Sequence, residues 1–311
     1  MNDTSGKSSR LLYMFSRLSE GKYLNKEELS QHFGVSPKSI QRDIEALRCF
    51  LSDDGANYEI LYDSQNQGYH MVGCESSWLN NDEILAVCKI LISSRSMVKS
   101  EMIPILDKLV KSCVPVENYQ AVKSLIANEK HHYLEPHHGK ELLPMLWCIG
   151  TAVQKHSVLI IDYIRLKDPR PVTRRVRPVG LMFSEYYFYL VAYIEGIDKE
   201  KHFDAPDDIF PTIYRLDRIQ HVRETEDHFS VPYAQRFEDG EFRKRIQFMY
   251  GGKLQKIRFL YTGLDINSVL DRLPTAEILH HDETGYEISA EVFGTGIEMW
   301  LKSQGDFIKK L

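Results

Sequence analysis

The stretch GVSPKSIQRDIEALRCFL, residues 34–51, decides how the first part of the chain is read. Gly34 permits a tight turn, Ser36 is a helix-capping residue, and Pro37 takes the first helical position, where its missing N–H costs nothing. At about 100° per residue, Ile44, Leu47 and Leu51 fall within about 40° of Ile40, so the four form one buried stripe. Lys38, Arg42 and Glu45 land near the opposite side, and Ser39 and Gln41 flank at roughly right angles. The outward half of the helix start therefore offers two cations, an amide and a hydroxyl. Arg and Lys pair with guanine edges or phosphates, Gln with adenine and Ser with either, so this surface suits the major groove of DNA. Asp43, on the flank of the stripe, reads as a structural partner rather than a base reader. A charged outer face alone is also what a solvated amphipathic helix shows; the surrounding pattern separates the two.

Leu11, Leu12, Phe15 and Leu18 recur at helical spacing, and Asn25 followed by Glu28 is a capping-box pattern ahead of Leu29 and Phe33. After the quoted helix, YEILY (58–62) and YHMV (69–72) alternate on either side of a DSQNQG loop, the pattern of a β-hairpin. Three helices and a hairpin make a winged helix-turn-helix, with the start of its second motif helix in the groove. Gln65, Asn66 and Gln67 then sit at an uncharged wing tip, placed for phosphates or the minor groove. GVSPKSIQRDIEALR, followed by a wing ending in GYHM, resembles the winged helix-turn-helix of the DeoR-like and YafY-like bacterial transcription regulators, over about residues 9–73. The resemblance implies Ser36, Lys38, Ser39, Gln41 and Arg42 as the DNA-facing residues. Lys38 and Ser39 stand where that family often has Arg and Thr.

The 311 residues suit two or three domains. No apolar run reaches bilayer length, and the start MNDTSGKSSR has no signal region, so a cytoplasmic protein without a membrane partner is expected. Cys49, Cys74, Cys88, Cys113 and Cys148 are scattered without a C-x-x-C pair, which indicates neither a zinc site nor a disulfide framework. A net charge of -5 excludes a wholesale basic surface, so local patches must carry any nucleic-acid binding. Residues 164–177, IRLKDPRPVTRRVR, are one: six basic side chains against a single acid.

The pattern divides the chain into residues 1–74, the winged domain; 75–141, a helical connector or dimerisation region starting near Trp78; 142–228; and 229–311. In the third part a helix (LLPMLWCIGTAVQKH) leads into SVLIIDYI, RRVRPVGLMFS, EYYFYLVAYIEG and PTIYRLDRIQHVRET, four strand-like segments that suggest a small barrel. In the fourth, KLQKIRFLYTG, DINSVLDRLP, a hairpin around Glu283-Thr284-Gly285, and GIEMWLKSQG predict a βαββα unit. The fold class is α+β and multidomain.

Along RRVRP, Arg174 shares a face with Val176 and Pro178, while Arg175 and Arg177 point the other way. Arg165, Arg215 and Arg218 come from other segments; guanidiniums converging from several strands make an anion site, because Arg holds phosphate in a two-pronged geometry. Tyr163 and Tyr189 add stacking surface for a base. The competing reading pairs these arginines with Asp162, Asp168, Asp207, Asp208 and Asp217, with Asp217 and Arg218 as internal partners. Phe188-Tyr189-Leu190 within YYFYLVAY, preceded by TRRVRP and followed by YRLDRI, resembles the WYL domain over about residues 142–225, with Phe188 in place of the eponymous Trp. That resemblance implies an Sm-like or SH3-like barrel that senses an anionic nucleotide or nucleic-acid effector. It maps the ligand-facing residues to Arg174 and Arg215, with Tyr189 and Arg218 nearby. The tail from Leu254 resembles the C-terminal extension that accompanies WYL domains.

Together these imply a homodimeric repressor that binds a pseudo-palindromic double-stranded operator with half-sites about 10 bp or a multiple apart. Phage defence and stress response are settings in which this layout occurs. No cofactor is implied. No Gly-rich phosphate loop, nucleophile elbow or H-E-x-x-H is present, so an enzyme is not expected. HHYLEPHH (131–138) clusters four histidines and a glutamate, but with Pro136 inside and no Cys nearby it reads as an exposed linker rather than a metal site. His280-His281 reads as solvent-facing and Trp300 as core or interface. Two rival classes remain: an RNA- or single-strand-binding scaffold without operator specificity, and a metal-dependent enzyme built on HHYLEPHH.

Overall fold

A computed structural model describes residues 6–53, 58–72, 79–114, 116–166, 168, 170–196, 210–231 and 237–311. Cys74, Trp78, Asp207 and Asp208 lie outside these residues. The chain forms two compact units, Met1–Ile90 with Ile105–His131, and Leu91–Pro104 with His132–Leu311.

In the first unit, helices α1 (Lys7–Ser19), α2 (Lys26–Phe33) and α3 (Pro37–Asp53) precede an antiparallel hairpin of β1 (Glu59–Asp63) and β2 (Gly68–Val72). The α3 stripe goes inside: Ile40, Ile44, Leu47 and Leu51 share a core with Met14, Leu18, Leu29, Ile60 and Met71. Gly34 closes α2 in the left-handed region at φ 64°, and Ser36 Oγ accepts the Ser39 N–H at 3.2 Å to start α3. Asn25 Oδ1 accepts from the Glu27 and Glu28 N–H groups at 2.9 and 3.2 Å. The return bond that a capping box draws from Glu28 is not among the described bonds. The Asn25 amide instead donates to the Gln67 carbonyl at 3.2 Å, which ties α2 to the hairpin turn. Beneath α3, Arg10 Nε lies 2.6 Å from Asp43 Oδ2, both buried. Helices α4 (Asn81–Ser94), α5 (Lys99–Cys113) and α6 (Val116–His131) follow. Lys89 pairs with Glu129 at 2.8 Å, and Lys130 with Asp107.

The second unit contains α7 (Leu143–Lys155) and five antiparallel strands, β3 (Ser157–Tyr163), β4 (Val172–Ser184), β5 (Tyr187–Ile194), β6 (Thr212–Arg215) and β7 (Ile219–His228), in the order β6-β5-β4-β3-β7. Ile149 and Ala152 of α7 pack over one face, against Leu159, Ile161, Val176, Leu190, Ala192 and Tyr214. PTIYRLDRIQHVRET is not one strand. A 3-10 turn at Leu216–Arg218 splits it, because Leu216 is drawn fully into the core and the chain then pairs with β3 rather than continuing beside β5. HHYLEPHH is exposed at His131, His132, Leu134, Glu135 and His137, as expected, but it is pinned at several points. Tyr133 is 2% exposed and its hydroxyl donates to the Met97 carbonyl at 2.7 Å, Pro136 is buried, and Glu135 accepts the Lys99 N–H at 2.7 Å. Glu101 Oε1 accepts the backbone N–H groups of Leu142 and Leu143, each at 2.8 Å, and so supplies the start of α7 with a carboxylate.

The same unit ends with α8 (Asp239–Arg245), β8 (Leu254–Tyr261), α9 (Asn267–Arg272), β9 (Glu277–Asp282), β10 (Gly285–Phe293), α10 (Gly296–Ser303) and β11 (Ile308–Lys310). The strands lie in the order β11-β8-β10-β9. The predicted βαββα order is present, with a terminal strand and α8 that the sequence pattern did not reveal. Phe259, Ile288, Val292, Ile297 and Trp300 form the core under the helices, so Trp300 is a core residue. Phe242 of α8 packs on Met182, Tyr189 and Val191 of the five-stranded sheet. No helix of the described residues is long and apolar enough to cross a membrane.

Candidate functional site

The core side of α3 fixes what its opposite side presents. Ser36, Lys38 and Arg42 are exposed at its start, and Ser39 and Gln41 are half-buried. Neither Lys38 nor Arg42 has a hydrogen-bond or ion-pair partner among the described residues, so two cations are presented free. Ser36 Oγ and Ser39 Oγ lie 3.0 Å apart. Gln41 differs from the rest. Its Oε1 accepts from the Tyr69 hydroxyl at 2.9 Å and its Nε2 donates to Glu45 at 2.9 Å, so both ends of the amide are engaged. Arg48 completes the bracket: it donates to Glu45 at 2.8 Å and to the Ile60 carbonyl at 2.9 Å, with its guanidinium 5.5 Å from the Tyr69 ring. Tyr69 thereby couples helix to hairpin, a role that period-two alternation in YHMV does not announce.

At the hairpin tip, Gln65, Asn66 and Gln67 are exposed. The Asp63 carboxylate accepts the Asn66 side-chain amide at 2.7 Å and the N–H groups of Asn66 and Gln65 at 3.2 and 2.7 Å. These bonds, the Asn66 side chain first, hold its carboxyl below the usual range.

The six residues expected to converge on an anion do not form one cluster. Directly opposed residues on an antiparallel ladder share a face. Tyr189 opposes Arg215 across β5 and β6, on the face away from α7. The Arg215 guanidinium sits 3.4 Å from the centroid of the Tyr187 ring and donates to Asp217 through Nε at 3.0 Å and Nη2 at 2.9 Å. Asp217 therefore pairs with Arg215 and not with Arg218, whose half-buried side chain has no partner among the described residues. Burial pushes the Tyr189 hydroxyl up to about 12, within the fields of Arg215, Asp217, Tyr187 and Arg218.

Arg174 opposes Ile161, which places it on the other face, under α7. Its only described bond runs to the Thr173 carbonyl at 3.2 Å. Tyr163 shares that face, its ring centroid 4.9 Å from Tyr214, whose hydroxyl burial pushes upward. Arg165 lies in the loop after β3, 3.2 Å from Asp168, which also takes Arg170. Asp162 accepts the Thr173 hydroxyl rather than an arginine.

Two residues beside Arg215 were missed from sequence. Tyr187 lies two residues before Tyr189, so strand alternation could have found it. His138, from HHYLEPHH, could not: its ring centroid is 6.5 Å from Tyr187, and only the tertiary fold brings it there. Its Nδ1 accepts the Lys140 N–H at 3.0 Å, its Nε2 is buried without a partner, and burial pushes its pKa below the ordinary histidine value. No group of three or more His, Cys, Asp or Glu able to hold a metal ion occurs among the described residues.

Residues 145–224 match the family model described as the WYL domain. No curated protein matches the chain. Among solved structures it is similar to proteasome accessory factor B/C of Arthrobacter aurescens, at 14% identity and a TM-score of 0.30, over 98% of this chain and 44% of that one. It is also similar to a CRISPR Cas-related protein, at 15% identity and a TM-score of 0.36, over 76% of this chain and 70% of that one. The chain thus spans less than half the length of the first.

Proposed function

This chain is a WYL-domain protein by its residues 145–224, and we propose that it is a sequence-specific DNA-binding transcription regulator, a cytoplasmic repressor acting as a homodimer. In this reading residues 1–74 are a winged helix-turn-helix, 75–141 connect and dimerise, 142–228 form an Sm-like sensor barrel and 229–311 are its C-terminal extension. The observation that carries it is the start of α3, where Lys38 and Arg42 stand exposed on the side opposite the core, without a partner among the described residues. A major groove takes such a helix end-on, with phosphate contacts setting position and base edges setting sequence. Ser36 and Ser39 add hydroxyls, and the wing residues Gln65, Asn66 and Gln67 reach the backbone. Gln41 reads adenine only by giving up Tyr69 or Glu45; otherwise it orients the helix.

The effector is an anion that bears a stackable base. Arg215 is pre-oriented by Asp217 and Tyr187, and Arg218 supplies a second charge beside Tyr189. Arg174 and Tyr163 belong to a separate subsite on the α7 side. Effector binding shifts the operator affinity by its preference for one state, with couplings of about 1–3 kcal/mol typical.

Selection of genomic fragments, followed by fluorescence anisotropy on the enriched duplex, tests the first half. Arg42→Ala should weaken binding by about 1–3 kcal/mol and relax preference at one base position. Unchanged affinity and preference would remove Arg42 from the interface, and absence of any enriched sequence would end the operator reading in favour of the scaffold. Arg215→Ala should retain operator affinity and lose the response to added nucleotides or oligonucleotides; a normal response would end the sensor assignment.

A further inference from the structure

A cavity of about 240 Å³ opens on the sheet of the C-terminal part. Its floor is Ser289 on the central strand β10, which opposes Arg258 of β8 on one side and Glu277 of β9 on the other. Ser289 is 1% exposed, and its Oγ has no hydrogen-bond partner among the described residues, a standing cost to the fold unless something else satisfies it. Around that hydroxyl the charges divide. Arg245 is matched by Glu241 at 2.7 Å and Glu291 at 3.2 Å, and the Thr275 hydroxyl donates to the Glu291 carbonyl at 2.7 Å. Lys256 on β8 and Glu277 on β9 are exposed and have no partner among the described residues. Lys256 opposes Glu291 and Glu277 opposes Ser289, so the two lie diagonally across β10, two strands and two residues apart, with Ser289 on the same sheet face.

A free cation and a free carboxylate that line one cavity with an orphaned hydroxyl on its floor are complementary to a small ligand that carries both charges. The volume lies below the roughly 300–1,000 Å³ of sites for drug-sized ligands and suits a small metabolite. We propose that this cavity binds a free α-amino acid: Lys256 and the Ser289 hydroxyl take its carboxylate, Glu277 takes its ammonium group, and its side chain lies toward the Arg245–Glu291 pair. The site shares no residue with the start of α3 or with the Arg215 cluster.

The experiment is isothermal titration of the full-length chain with each of the twenty free amino acids. At least one should bind saturably at one site per chain. The N-acetyl and carboxamide derivatives of that amino acid should each bind about tenfold or more weaker, since each leaves one charged group of the protein unanswered. Lys256→Ala and Glu277→Gln should each weaken binding by a similar factor, while Lys302→Ala, on α10 and outside the cavity lining, leaves it within about twofold. The inference is overturned if none of the twenty binds, if the blocked derivatives bind as well as the parent, or if both charge variants retain full affinity. The derivative series needs no protein variant, so it decides the matter even if a substitution disturbs the fold.

Discussion

Replacing Asp43 by Ala should leave the first unit close to unfolding while sparing the second. The Asp43 side chain is 2% exposed and that of Arg10 11%, with 2.6 Å between Oδ2 and Nε. The substitution removes only the carboxylate, so it strands a guanidinium inside the three-helix core. Losing one partner of such a pair costs about 3–5 kcal/mol, because the remaining charge has neither water nor a counter-ion. A domain has about 5–15 kcal/mol in total, so a large share of the unit's stability is lost. Trp147 and Trp300 belong to the second unit and Trp78 falls in the residue range of the first, so whole-chain fluorescence mixes the two. Hydrogen exchange read by mass spectrometry on peptides from α1 and α3 localises the effect. Those peptides should exchange at least about a hundredfold faster, with β3–β5 peptides unchanged. Replacing both partners together, Arg10→Met with Asp43→Leu, should recover most of the loss, since no uncompensated charge remains. A loss under about 1 kcal/mol for Asp43→Ala, the size of an exposed ion pair, would refute the claim that this pair clamps α1 to α3.

Other outcomes follow from the same packing. A Cβ at Gly296, the first residue of α10, would lie 2.0 Å from the Gln247 carbonyl oxygen, so Gly296→Ala should cost about 1–3 kcal/mol in a thermal melt; an unchanged melting temperature would mean that the Gln247 segment yields. The Asp63 carboxyl should titrate below the ordinary value of about 3.9 in a carbon-13 NMR titration. Because the folded-state value is depressed, the hairpin turn's contribution is present above that ordinary value and lost as the pH falls through the folded one. Titration at or above the ordinary value would contradict the bonds drawn from Asn66 and Gln65.

What could be read from sequence was periodicity, and what could not was pairing. The 3.6-residue stripe of Ile40, Ile44, Leu47 and Leu51 needs no tertiary information, and those four side chains are buried together. The same holds for the last part, where period-two runs and a turn at Thr284-Gly285 mark β8, β9 and β10. Alternation says which residues of one strand share a face; it does not say which faces of two strands coincide. Arg174 and Arg215 illustrate the gap, since the register of β4 on β3 and of β6 on β5 sends them to opposite sides. Asp217 also looked like a partner for its neighbour Arg218 until the 3-10 turn folded it back on Arg215. Tyr69 on Gln41, 28 residues away, and Tyr133 on Met97, 36 away, are tertiary bonds without a local signature.

The order in which the chain visits its two units has a consequence for heredity and for synthesis. It enters the second unit at Leu91, leaves after Pro104 and returns for good at His132, so neither unit is a continuous piece of the gene. A fragment cut at residue 145 begins inside α7 and lacks Glu101, the carboxylate that supplies that helix with its cap. A graft that carries Glu101 along must also bring residues 105–131, which belong to the other unit. The two units alternate along the chain like interleaved pages, and recombination can exchange them only as one bound volume. On the ribosome, likewise, the first unit has to wait for His131 to emerge before its last helix can close it.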